Sequence, residues 1–184
     1  DINKAKNHDD FEKALEHYIA PAQNFAFASR DGDIAIHVNG SLPIKEDQAG
    51  RFVSDGSEGG NWNGFIPRSQ IPKVFNPERG FISSANQHST GQDYPYYYNS
   101  DYFENYRGRI LNDKLATLND ITPDHMMALH NDATSYKAKE VVPILLELVD
   151  KSDLNGLGKE VVEALSKWDF VYDAEKKACS YFDS

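Results

Sequence analysis

Asn24-Phe-Ala-Phe-Ala-Ser29, Arg30-Asp-Gly-Asp33 and Ile34-Ala-Ile-His-Val38 follow one another without a break. The outer two runs alternate with period two, as half-buried strands do, and the middle one carries the Asp-Gly chemistry of a tight turn. Together they predict an antiparallel β-hairpin. Upstream, Phe11, Leu15 and Tyr18 recur at helical spacing. Asp9 and Asp10 are placed to cap a short helix starting at Phe11, and Pro21 ends the run. Downstream, residues 39–80 are rich in Gly, Pro, Asn and Ser, yet carry Trp62, Phe65, Ile66, Ile71, Val74 and Phe75. A flexible linker lacks such anchors, so this is an ordered, irregular excursion. Phe81-Ile-Ser-Ser-Ala85 reads as a short third strand.

The second half reads as helices. Asn105–Leu118 carries Ile110, Leu111, Leu115 and Leu118 on one side. Thr122-Pro123-Asp124 has a cap, a first-turn proline and an acid at the positive end of the helix dipole. A stretch over Tyr136–Val149 is expected to kink or restart at Pro143. Asn155, Gly156 and Gly158 then break the pattern before a last helix, Lys159–Trp168. The fold class is α+β, with about 20–90 forming sheet and about 105–170 forming helix within one unit spanning 1–184.

Composition narrows the function. The chain has 184 residues, and 19 basic against 29 acidic side chains give a net charge of −10. Phosphate backbones and anionic lipid surfaces are bound through surplus Lys and Arg, so neither nucleic acid nor membrane is an expected partner. The longest apolar stretch, Val141–Val149, is interrupted by Pro143 and Glu147 and is too short to span a bilayer. A single cysteine, Cys179, excludes an intramolecular disulfide framework and a cysteine-based zinc site, and reads as a small buried thiol. His125 and His130 are five apart, wrong for two ligands on one helical face, and Asp31-Gly32-Asp33 lacks the rest of a calcium loop. No metal site built wholly from this chain is expected.

No nucleophile-elbow serine and no glycine-rich phosphate loop is present; Gly56, Gly59, Gly60 and Gly64 precede no helix. Asn39-Gly40-Ser41 is a formal glycosylation sequon, too short a signal to use. The tyrosines at 94, 96, 97, 98, 102 and 106 either line a ligand cleft or pack a loop core. Asn24, after Pro21-Ala22-Gln23 at the start of a strand, is by residue type ordinarily a turn or cap asparagine. Its alternative role is that of a rigid, neutral hydrogen-bond donor to an oxyanion.

The order of motifs bears on that choice. Pro21-x-Gln23-Asn24-Phe25-x-x-Ala28 runs into Asp31-Gly32-Asp33-Ile34, then Gly40-x-x-Pro43 and Trp62-x-Gly64-x-Ile66-Pro67. Ile71-Pro72, Asn76-Pro77-x-x-Gly80-Phe81-Ile82 and Ala85-Asn86 follow. Tyr106-Arg107-x-Arg109-Ile110, His130-Asn131-Asp132-x-x-Ser135 and Trp168-Asp169 complete the series. From about Phe11 to the end, this resembles the β-subunit of the penicillin amidase (penicillin acylase) family of N-terminal nucleophile hydrolases. The resemblance implies an αββα layered fold. It also implies hydrolysis of the amide bond of N-acylated small molecules such as β-lactams, acyl-homoserine lactones or lipopeptides. The family's nucleophile is a serine freed at the start of the β-subunit by autoproteolysis, with its own α-amine as base.

On this resemblance Asn24 supplies one oxyanion donor, and a backbone N–H upstream of this chain supplies the other. No serine here matches the catalytic one, and Asp1 stands where an initiator Met would. The chain is therefore expected to be a fragment, inactive alone, whose partners are the rest of the parent polypeptide and a small amide substrate. Lys45 falls where the family often has an arginine that orients substrate; it keeps the charge and loses the planar fork. The family's structural calcium is expected in the parent, with most ligands outside this fragment, which needs no cofactor of its own. An extracytoplasmic location follows from the resemblance, with a cytoplasmic one as the alternative. The rival function is a non-catalytic module that binds carbohydrate or peptide through the tyrosine-rich loop. A degenerate relative kept for structural reasons is a third.

Overall fold

The computed structural model describes residues 1–53, 55–57, 62–97, 102 and 104–184. The chain divides into two compact units, Asp1–Gly108 and Arg109–Ser184.

The first unit is built on the predicted hairpin. Strands β1 (Gln23–Ala28) and β2 (Ile34–Asn39) are antiparallel, with Asn24 opposite Val38 and Ala28 opposite Ile34. The turn places Gly32 at φ +94°, and Ser29 Oγ accepts from the backbone N–H groups of Asp31 and Asp33, both at 3.2 Å. The third strand, β3 (Lys73–Phe75), pairs with β2 to give the order β1-β2-β3. It is not the expected Phe81–Ala85 segment, which forms no strand. Asn76 explains the placement. At φ +45° it turns the chain, and its side chain accepts from Ile34 N and donates to Asp33 Oδ1, both at 2.8 Å, which ties the end of β3 to the start of β2. In residues 81–85 the Ala85 N–H instead goes to the Gln87 side chain at 2.6 Å.

Helix α1 (His8–Leu15) covers one face of the sheet. It starts earlier than expected because Asn7 caps it, accepting from Asp10 N at 2.8 Å, and Asp9 and Asp10 lie in its first turn. Phe11 and Leu15 are buried. The Phe11 and Phe27 rings meet at 5.1 Å, and Tyr18, beyond the helix end, meets Phe25 edge-on at 4.9 Å. Alternation therefore sends Phe25 and Phe27 of β1 and Ala35, His37 and Asn39 of β2 toward α1. Asn24, Ile36, Val38 and Val74 share the opposite face.

The excursion is ordered, and it closes a second small core of Leu42, Ile66 and Ile71, with Val38, Ile44 and Tyr96 against it. Two of the six expected anchors, Ile66 and Ile71, are buried; Trp62, Phe65, Val74 and Phe75 are exposed. Trp62 and Phe65 meet edge-on, 6.2 Å apart.

The second unit is helical. Helix α2 (Tyr106–Thr117) leads into it, followed by α3 (Pro123–His130), α4 (Tyr136–Leu148), α5 (Gly156–Ser166) and α6 (Lys177–Asp183). Thr122 caps α3 as expected, with His125 completing the reciprocal pair. Helix α4 runs through Pro143, which is exposed, without restarting there. The pattern breaks between α4 and α5 as expected, but Asn155 caps α5, accepting from Gly158 N at 2.8 Å, so Gly156 and Gly158 open that helix rather than precede it. The core of this unit joins Ala138 and Val142 of α4, Leu165 of α5, Trp168, and Ala178 and Cys179 of α6. Cys179 is the buried thiol the sequence indicates. No helix among the described residues is long and apolar enough to cross a membrane.

Candidate functional site

Asn24 stands one residue into β1, on the sheet face away from α1. Two backbone features fix its approach. Asn39, buried at the end of β2, donates through Nδ2 to the carbonyls of Leu15 and Tyr18, each at 3.2 Å, and accepts from Arg68 Nη2 at 3.0 Å. The next residue, Gly40, has φ +146°, and a Cβ there would lie 2.9 Å from Ala22 Cα. The segment 19–22 is thus seated on Gly40, and Ser41 N–H donates to Ile19 O at 2.8 Å. Asn39 is 3 % exposed with its amide nitrogen committed, so the sequon is not presented to a glycosylating enzyme in the folded chain.

The Asn24 side chain lines a cleft of about 230 Å³. Ile36, Val38 and Val74 form its sheet wall, and Arg79, Ser83, Ser84, Gln87 and His88 line it from the loop after β3. Asn24 Nδ2 donates to Ser84 Oγ at 2.7 Å. A side-chain amide nitrogen carries two hydrogens, and this bond uses one.

Among the described residues the lining of this cleft does not include Lys45. Lys45 forms an isolated antiparallel bridge with Tyr97, and its Nζ lies 5.4 Å from the centre of the Tyr97 ring. Tyr97 belongs to a neighbouring cleft of about 380 Å³, lined also by Tyr94, Tyr96, Pro95 and His88. Tyr94 Oη donates to the Gln70 carbonyl at 2.9 Å and Tyr96 Oη to Gln70 Oε1, so both phenols are held by the short 3-10 turn Arg68–Gln70. The Tyr102 ring lies 4.4 Å from His88, Tyr106 opens α2, and Tyr98 lies outside the described residues. His88 lines both clefts, which are therefore neighbours.

On the α1 face, His8 Nε2 and His37 Nε2 are 2.9 Å apart, with Phe75 and Phe27 rings around His8. Burial, then the neighbouring His8, hold His37 below the ordinary imidazole range. Glu12 bonds Lys73 directly, and that bond holds its carboxyl below the usual carboxylate range. Among the described residues no three His, Cys, Asp or Glu side chains converge to hold a metal ion.

The residues that sequence reasoning missed are Ser84, Gln87 and His88. Ser84 entered only as part of a strand. Ser84 is 60 residues from Asn24, so no local pattern signals their contact.

Comparison with known proteins gives the class first. The chain is similar in structure to a thermostable penicillin G acylase from Alcaligenes faecalis, with a TM-score of 0.70 over 95 % of this chain and 32 % of that one. At 17 % identity that likeness establishes the fold, α+β in both. The family model for penicillin amidase matches residues 1–184, and the chain belongs to the penicillin amidase family. It is 26 % identical over 156 residues to the penicillin acylase 2 proenzyme of Pseudomonas sp. (strain SE83), covering 83 % of this chain and 20 % of that protein. The chain thus spans about a fifth of that relative's length and about a third of the solved one's.

Proposed function

We propose that this chain is part of an acylase that hydrolyses the amide bond of N-acylated small molecules, and that it contributes the oxyanion donor Asn24. The attacking N-terminal serine, its amine base and the second donor, a backbone N–H, would come from the rest of the parent polypeptide. One observation carries the reading: a neutral amide, fixed at the start of a strand, lines a cleft with its Nδ2 anchored by a hydrogen bond of 2.7 Å. Such a donor matters most when charge builds on the carbonyl oxygen, because the bond strengthens with the charge while the site stays still.

Family membership and the similarity to a penicillin acylase proenzyme support the hydrolase class. In the parent enzyme, Asn24→Ala is expected to lower kcat about a hundredfold or more with little effect on folding, read with a chromogenic acyl amide. Turnover within threefold of the parent's would refute the assignment. The calcium of the family would sit mostly among ligands outside this chain, and no step depends on it. Export from the cytoplasm belongs to the same reading.

Lys45 is then a contact for the part of the substrate held beside Tyr97 rather than for the reacting carbonyl. The tyrosine-lined cleft of about 380 Å³ favours a second reading, a carbohydrate- or peptide-binding module. The shared His88 sets that cleft next to Asn24, as an extended site for one substrate requires. Unaltered turnover in Asn24→Ala together with saturable oligosaccharide binding would favour the module.

A further inference from the structure

We infer that Ser84 is a positioning residue for Asn24, an inference that rests on the oxyanion reading above. The terminal torsion of an asparagine is broad and soft, so an unanchored amide samples orientations that do not face a reacting oxygen. Ser84 Oγ accepts from Nδ2 at 2.7 Å and takes one of its two hydrogens. That leaves the second N–H in a defined direction. Both side chains line the same cleft.

An anchor works only if it is itself held, and the Ser84 loop is. On its C-terminal side Gln87 reaches back to both neighbours of Ser84, accepting from Ala85 N at 2.6 Å and donating to Ser83 O at 3.3 Å. Ala85 is buried, and Asn86, at φ +61°, accepts from Arg107 Nη2 at 2.8 Å. On the N-terminal side Arg79 Nε donates to Phe81 O at 2.9 Å and its guanidinium lies over the Phe81 ring. Ser84 therefore presents its hydroxyl from a loop braced at both ends, across from the strand that carries Asn24.

The test uses the full parent enzyme and a chromogenic acyl amide. Ser84→Ala should lower kcat about tenfold, the population effect of losing one ordinary hydrogen bond, with KM within about twofold. Ser84→Thr keeps the hydroxyl and should stay within about threefold of the parent. A thermal unfolding scan on each variant reports on folding. The double variant Asn24→Ala/Ser84→Ala should be no slower than Asn24→Ala alone, since an anchor with nothing to anchor has no effect. If Ser84→Ala turns over normally while Asn24→Ala does not, or if Ser84→Ala slows both backgrounds alike, positioning by Ser84 is overturned and the oxyanion role survives. If Asn24→Ala itself turns over normally, both fall.

Discussion

Removing the Asn39 side chain should loosen the whole approach to Asn24. Asn39→Ala deletes two bonds to backbone carbonyls, each worth about 1 kcal/mol net, and one to a guanidinium, worth about 1.5–3 kcal/mol when the partners are buried. Two discounts apply. Leu15 O keeps a second partner, the Tyr18 N–H at 3.1 Å, and Arg68 is exposed, so its freed nitrogen can be hydrated. The net expectation is a loss of about 2–3 kcal/mol of local stability. In native-state hydrogen exchange on the parent protein, peptides covering 8–28 and 34–39 should then exchange about 30- to 150-fold faster. Asn39→Asp is the sharper control. It keeps the acceptor for Arg68, loses both donors, and sets a carboxylate against two carbonyls, so it should be at least as destabilised near neutral pH and recover as the carboxyl protonates. Exchange within threefold of the parent for both variants would show that Asn39 holds nothing together.

Gly40→Ala should be destabilising by about 1–3 kcal/mol, because φ +146° disfavours any Cβ and the atoms it meets, Ala22 Cα and Ile19 O, are backbone. The same exchange assay reads the effect, and turnover should fall with it as residues 19–22 shift; parent-like values in both would refute the close approach. The His8–His37 contact predicts a pH dependence in the first unit. Burial, then the neighbouring His8, depress the folded His37 pKa below the ordinary imidazole value of 6.5, so in the window just under that value the unfolded chain binds more protons than the folded one. Stability therefore rises with pH through the window, is complete above it, and is lost as pH falls. Glu12, Lys73 and Arg68 also face this group, and Glu12, itself depressed below 4.5, acts in a lower window. Protection factors of the α1 peptides should show that slope, and His37→Gln should flatten it; an unchanged slope would remove His37 as its source.

The hairpin, the Thr122 cap and the α2 boundaries were legible because each depends on neighbours in sequence. The hairpin needs alternation and one Asp-Gly turn, and the cap needs a hydroxyl three residues before a backbone N–H. What was not legible depends on distant partners. Lys73–Phe75 looks weaker as a strand than Phe81–Ala85, and its selection rests on distant partners, among them the ties from Asn76 to Asp33 and Ile34. Alternation in β2 likewise marked a strand without saying which face would be covered. The burial of His37 and Asn39 rather than Ile36 and Val38 is decided by α1 and by the carbonyls that Asn39 satisfies. At Pro143 the helix does not restart, and residue type alone does not decide between a restart and a proline carried within one helix. At the candidate site, Asn24 was singled out by the order of motifs and the family resemblance it carries, since its place at a strand start alone fits a turn or cap asparagine; Ser84 could not be, because the fold alone brings the two together.

The choice of a neutral donor at position 24 has a physical sense on the proposed mechanism. An amide hydrolase must stabilise a transient oxyanion and then release a carboxylate product. A cation in that place would stabilise both, and the product's share of that binding would slow release without helping the chemical step. The cleft is not short of basic side chains, since Lys73 and Arg79 both line it. Each is committed elsewhere, Lys73 to Glu12 on the α1 side and Arg79 Nε to the Phe81 carbonyl. On that mechanism the group left to face the reacting carbonyl is an uncharged amide beside Ile36, Val38 and Val74. The tether from Ser84 belongs to the same logic: a neutral donor is weaker than a cation, so its value depends on already pointing in the right direction when the charge appears.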